Sequence, residues 1–164
     1  MSEGKRVTPE QYGEFMKIAH SQALKSLSEG GIPIGAALIH LPTGRVLSVG
    51  HNQRVQMGSN IRHGETDCLE NLGRVSPGLL RECGMWTTLS PCIMCSGTCL
   101  LYKIPLLVMA ENTNFVGGED LLRSRGVDVV NLQDGEITRM MKEWIESPGG
   151  RTHWNEDIGE VDEA

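Results

Sequence analysis

Apolar residues recur along this chain at two periods, and stretches of one period alternate with stretches of the other. Phe15, Ile18, Ala19, Ala23 and Leu27 keep helical spacing. Thr8-Pro9-Glu10-Gln11 opens that stretch: Thr8 can cap it, Pro9 suits a first helical position and Gln11 stands where a capping-box partner belongs. Gly30-Gly31 stops it. The apolar run from Ile34 to Ile39, the turn Leu41-Pro42-Thr43-Gly44 and the run from Val46 to Val49 predict a β-hairpin. Helical patterns at 63–72, 91–103, 119–125 and 134–146 then alternate with strand patterns at 85–89, 106–110 and 127–130. The order α-β-β-α-β-α-β-α-β-α predicts an α/β fold, a mixed sheet with helices on both faces. With 164 residues and no repeat or long linker, one domain over 1–164 is expected, large enough for a core without disulfides.

Composition removes several functions. A formal net charge of −6 argues against binding long nucleic acid, because phosphates are neutralised by clustered Lys and Arg. No stretch approaches the ~18 apolar residues of a membrane span. The opening MSEGKRVTPEQY lacks the apolar core of a signal peptide, so a cytoplasmic, reducing location is expected. Five cysteines, an odd number, then point to metal binding or catalysis rather than disulfides.

Two short segments carry the chemistry: His63-Gly64-Glu65 and Pro91-Cys92-Ile93-Met94-Cys95, each at an expected helix start. Cys92 and Cys95, at i and i+3, fall on one face of a first turn. Free N–H groups and the helix dipole favour thiolates there. His63 completes a Cys₂His set that leaves a fourth position to water, the arrangement of a catalytic zinc. Zinc lowers the pKa of such a water from about 15.7 to near 7. Glu65, two residues past His63, is off the ligand face and is free to shuttle the protons of a hydrolytic deamination. H-x-E…P-C-x-x-C is the spacing of zinc deaminases that act on bases. Other readings stay open. P-C-x-x-C alone fits a dithiol redox protein, which leaves His63 and Glu65 without a role. A closed, non-catalytic zinc module would draw a fourth ligand from Cys68, Cys83 or Cys99, each of which also fits as a small buried residue. His20, His40 and His51 read as surface or hydrogen-bonded histidines, and the methionines as packing, with Met94 near the site.

Gly31-Ile32-Pro33-Ile34-Gly35, Gly50-His51-Asn52, His63-Gly64-Glu65, Thr87-Thr88-Leu89-Ser90-Pro91-Cys92 and Trp154-Asn155-Glu156-Asp157-Ile158-Gly159-Glu160 resemble the fungal-type cytosine deaminases of the cytidine and deoxycytidylate deaminase superfamily. The likeness runs from the first helix to Glu160. It implies a three-layer α/β/α sandwich with a five-stranded mixed sheet, one Zn²⁺ per chain, and a homodimer. It further implies free cytosine as substrate, with isocytosine, guanine or another amino-heterocycle as alternatives. It implies that Asn52 hydrogen-bonds the pyrimidine edge, the Gly64 N–H contacts the carbonyl, the Ser90 carbonyl accepts from the leaving amino group and Asp157 holds a ring N–H. Phe115 and Trp154 would close the pocket, with Ile34 and His51 lining it. A flat polar ring suits an apolar slot with a few fixed polar groups. Two positions depart from the pattern: Val55 replaces an aromatic residue and Ile93 an acidic one. If residue 55 touches the ring, the slot is roomier.

Overall fold

The computed structural model describes residues 6–161. Its five strands are β1 (Gly35–His40), β2 (Arg45–His51), β3 (Cys83–Thr87), β4 (Leu106–Met109) and β5 (Asp128–Asn131). They form one sheet in the order β2-β1-β3-β4-β5. β1 runs antiparallel to both β2 and β3, while β3, β4 and β5 are parallel. The mixed sheet is therefore as expected.

The helices are α1 (Tyr12–Ser28), α2 (Arg54–Met57), α3 (Gly64–Leu72), α4 (Pro77–Leu80), α5 (Ile93–Leu101), α6 (Glu119–Ser124), α7 (Gly135–Glu146) and α8 (Gly150–Asp157). Both faces of the central strands are covered, which is why their sequences read as unbroken apolar runs. Ala36 and Leu38 of β1 pack with Cys68, Cys99 and Leu122 of α3, α5 and α6. The alternate residues Ala37 and Ile39 pack with Met16 and Ala19 of α1 and Ile137 of α7. Two cores on opposite sides of one sheet make three layers.

The predicted boundaries shift in two places that matter. The third strand ends at Thr87, two residues before Leu89, because Ser90 N–H leaves the ladder to donate to Glu111 O at 3.0 Å. The helix expected from Pro91 starts at Ile93, with Cys92 as an extended N-cap. Three helices went unread: α2 and α4 are single turns, too short to show a period, and α8 follows the Pro148-Gly149 stop signal. Gly149 takes φ 79°, reversing the chain so that α8 packs back on α7.

One end of the sheet gathers the chemistry. β2 ends at His51 opposite Gly35, where β1 begins, and β3 ends at Thr87 beside Ala36. α3 and α5 both start just beyond those strand ends. α3 lies so close over β2 that a Cβ on Gly50 would sit 2.2 Å from Cys68 N and 2.7 Å from Gly64 O. Backbone atoms cannot yield as a flexible side chain does. Gly50→Ala is therefore expected to destabilise the fold by about 3 kcal/mol, the upper range for overpacking, read as a lower urea midpoint at unchanged m-value.

Candidate metal centre and its pocket

His63 and Cys92 occupy the same structural position, the extended N-cap of a helix. His63 N–H donates to Thr66 Oγ1 at 2.9 Å, fixing the first turn of α3. That turn is anchored further along by Asp67, a fully buried carboxylate. Asp67 accepts from the His51 backbone N–H at 3.0 Å, Gln53 Nε2 at 3.0 Å, Arg62 Nη1 at 2.6 Å and Asn71 Nδ2 at 3.2 Å. With both turns held, ligand atoms of His63, Cys92 and Cys95 lie within 4.8 Å of one another. His63 Nδ1 is 3.5 Å from Cys92 Sγ.

The donor set fits zinc: one imidazole, two sulfurs, and no fourth protein ligand among the described residues, which leaves a position open. Cys68, Cys83 and Cys99 are free and packed into the apolar core, so none closes the set. Charge is already arranged for a cation. Hydrogen bonding from Cys95, aided by His63, outweighs burial and brings the Cys92 thiol down to about 4. For His63 burial opposes ionisation, but the Asp157 carboxylate and Cys92 thiolate overcome it and push the imidazole up to about 10. A metal cation replaces the protons that hold this cluster together.

Glu65 lies one residue into α3, buried beside the cluster. Its Oε1 accepts from Thr87 Oγ1 at 2.6 Å. Burial first, and the nearby Cys92 sulfur second, raise its carboxyl above the usual range. Above the cluster a narrow cavity of ≈ 20 Å³ is walled by Ile34, His63, Glu65, Leu89, Ser90, Cys92, Phe115, Trp154, Asp157 and Ile158. Phe115 and Trp154 meet edge to face, with centroids 5.4 Å apart. Asp157, at the end of α8, accepts from Asn52 Nδ2 at 3.0 Å through Oδ2. Its Oδ1 lies 3.2 Å from His63 Nε2, an ion pair when the imidazole carries its proton.

The structure thus brings together Ile34, His63, Glu65, Ser90, Cys92, Cys95, Phe115, Trp154 and Asp157. Three expected residues are not on the cavity wall. Asn52 sits behind it: Oδ1 accepts from Arg54 N–H at 3.0 Å, as in a turn, while Nδ2 holds Asp157. Gly64 packs on Ile34 and Gly35. His51 is off the wall as well. Its Nε2 is 2.7 Å from Glu29 Oε1, pairing the ring with the residue that caps the C-terminus of α1. Val55 and Ile93, the two departures, are exposed and also off this wall, although Ile93 and Met94 border an outer cavity of ≈ 350 Å³ that shares His63, Cys92 and Asp157. Sequence reasoning missed Thr87, Leu89 and Ile158. All three stand inside the segments that carried the resemblance, but only their neighbours bore recognisable chemistry.

Comparison with known proteins agrees with this geometry. The profile of the cytidine and deoxycytidylate deaminase zinc-binding region matches residues 9–111. A cytosine deaminase of Candida albicans is 50% identical over 146 residues, 88% of this chain and 95% of that protein. A tRNA-specific adenosine deaminase of Streptococcus pyogenes is 32% identical over 115 residues, 69% of this chain and 70% of its own length. Among solved structures, a guanine deaminase from Nitrosomonas europaea superposes with a TM-score of 0.66 at 19% identity, covering 89% of each chain, a likeness of fold. Profile, sequence and fold agree, and the chain belongs to the cytidine and deoxycytidylate deaminase family, alongside the fungal-type cytosine deaminases.

Proposed function

We propose that the chain hydrolyses free cytosine to uracil and ammonia, with His63, Cys92 and Cys95 holding one Zn²⁺ and Glu65 carrying the protons. The observation that carries the choice of substrate is the Asp157 carboxylate, buried in the cavity wall, whose Oδ1 has only the His63 imidazole near it, 3.2 Å away, and can accept a second hydrogen bond from the cavity. A pyrimidine base offers N1–H to such an oxygen. A nucleoside has no proton there and carries a ribose that would collide with α8. Asn52 holds the other carboxylate oxygen, so Oδ1 stays aimed inward. The relationship to the Candida albicans cytosine deaminase supports the same substrate.

Zinc bound at this donor set supplies an activated water at neutral pH. The protein's own groups do the rest. Ile34, Phe115 and Trp154 exclude bulk water and hold the ring flat. The Thr87 hydroxyl ties down Glu65 Oε1 and leaves Oε2 to face the reacting atoms. Glu65 takes a proton from the attacking water and gives it to ring N3. It then takes the proton of the new C4 hydroxyl and gives it to the departing amine, so the elements of one water are divided between uracil and ammonia. The Ser90 carbonyl accepts from the amino group as it leaves. Asn52 and the Gly64 N–H meet the far edge of the ring once the walls part to admit it.

The proposed partner is a second copy of the chain. A broad groove of ≈ 680 Å³ beside α3 and α5 has apolar side chains, Leu69, Leu72 and Val75 among them, rimmed by Arg62, Glu70 and Arg74. Leu101 and Tyr102, at the end of α5 beside the groove, are exposed at 71% and 37%, and a second copy covering them would bury that apolar surface. The proposed location is the cytoplasm, where the unpaired thiols would persist. No helix among the described residues is long and apolar enough to cross a membrane.

Three outcomes are expected. Zinc-loaded protein should release ammonia from cytosine but not from cytidine, with Glu65→Gln keeping about one zinc per chain while losing at least ~100-fold in kcat. Cytidine turnover without cytosine turnover would refute the substrate. Thr87→Val should lower kcat about tenfold at unchanged zinc content, and Thr87→Ser should restore it, because a hydrogen bond to a buried carboxylate is at stake. Equilibrium sedimentation should give twice the chain mass, and Leu101→Glu should halve it.

A further inference from the structure

Among the buried carboxylates that the mechanism does not use, one touches the pocket wall through Ser90. Glu119, the first residue of α6, is almost wholly enclosed. Its Oε2 accepts from Ser90 Oγ at 2.6 Å, and both its oxygens are 3.3 Å from Asn112 Nδ2. Arg123 Nη2, one turn on, stands 3.5 Å from Oε1. The Ser90 hydroxyl that donates to Glu119 also accepts from Gly117 N–H at 2.9 Å, and Gly118 N–H donates to Pro91 O at 2.8 Å. A Cβ on Gly117 would be 1.9 Å from Pro91 O, so the loop lies against Ser90-Pro91 with no space between. That loop carries Phe115, and Ser90-Pro91 leads straight into Cys92.

We propose that Glu119 is a positioning residue for the aromatic side of the pocket: by orienting the Ser90 hydroxyl toward Gly117 it pins the 115–118 loop to the cysteine-bearing turn and fixes Phe115 against Trp154. Ser90 has one proton to give. Donated to Glu119, it leaves an oxygen lone pair directed at Gly117 N–H. Without Glu119 the hydroxyl turns to another acceptor, Gly117 loses its partner and the Phe115 ring is no longer held at the width of a planar base. Asn112, held by the same carboxylate, secures the other end of the loop. The inference rests on the reading of Phe115 as a wall of the substrate slot.

The test uses the full-length, zinc-loaded protein with Glu119→Ala, Glu119→Gln, Phe115→Ala and the double variant. Hydrogen exchange at Gly117 and Gly118 needs no substrate. It should quicken at least about tenfold in Glu119→Ala and stay within about threefold of wild type in Glu119→Gln, whose amide oxygen still accepts from Ser90. For cytosine, Glu119→Ala should raise KM about tenfold with kcat and zinc content little changed, the loss expected for one aromatic contact. Added to Phe115→Ala it should cost less than about twofold more, because it acts through that ring. Should Glu119→Ala fail to fold, Glu119→Leu, which keeps the volume and removes the acceptor for the Ser90 hydroxyl, is read in its place. Wild-type exchange at Gly117 and Gly118, an unchanged KM, or multiplicative effects of the two substitutions would overturn the role. Wild-type protein inactive on cytosine would instead refute the substrate, with the exchange measurement still judging Glu119.

Discussion

Three donor atoms from two separate helix starts have to meet within 4.8 Å, and the architecture around them serves that meeting. His63 and Cys92 are each the last extended residue before a helix, where the side chain points along the helix axis toward the free N–H groups. Positive ends of two helices thus converge on one point, which suits thiolates and the carboxylates around them. Their distance depends on how deeply α3 sits on the sheet. Gly50 removes the only side chain that would hold it off, and Asp67 binds α3 to the end of β2 and to the segment from Gln53 to Arg62.

Around that point two buried carboxylates take opposite tasks because their surroundings differ. Glu65 accepts from the Thr87 hydroxyl, but burial outweighs that and its other hydrogen bonds, so a proton is easily held there. Asp157 is gripped at Oδ2 by an amide that offers only N–H and faces an imidazole with Oδ1. One is built to pass protons and the other to accept a hydrogen bond. The apolar slot between them, closed by Phe115 and Trp154, strengthens both interactions by keeping water out.

Local chemistry was legible in the sequence and distant packing was not. H-x-E and P-C-x-x-C each declare themselves within five residues, and so did the alternation of strands and helices. Cys68 and Cys99 also read correctly as core. The C-terminal helix was invisible: eight residues after a Pro-Gly stop give no period, and the hydrogen bond that ties it to the pocket spans 105 positions. Periodicity carries no trace of such a contact; only likeness to a family pointed to Asp157. Likeness pointed also to His51, and the pairing of its imidazole with Glu29, the cap of α1, could not be read from spacing. Thr87 and Glu119 escaped notice because a threonine ending a strand and a glutamate opening a helix are ordinary residues until their partners are seen.

The cluster also ties together two stretches of chain that sequence separates by 29 residues. An ion held there is a cross-link as well as a reagent. It closes a loop whose ends would otherwise pay their own entropy to stay near each other, and it binds the folded chain far better than the unfolded one. Rigidity at the reacting centre and resistance to unfolding are then drawn from one coordination bond set. Sequence drift at any of the three ligands therefore weakens both at once.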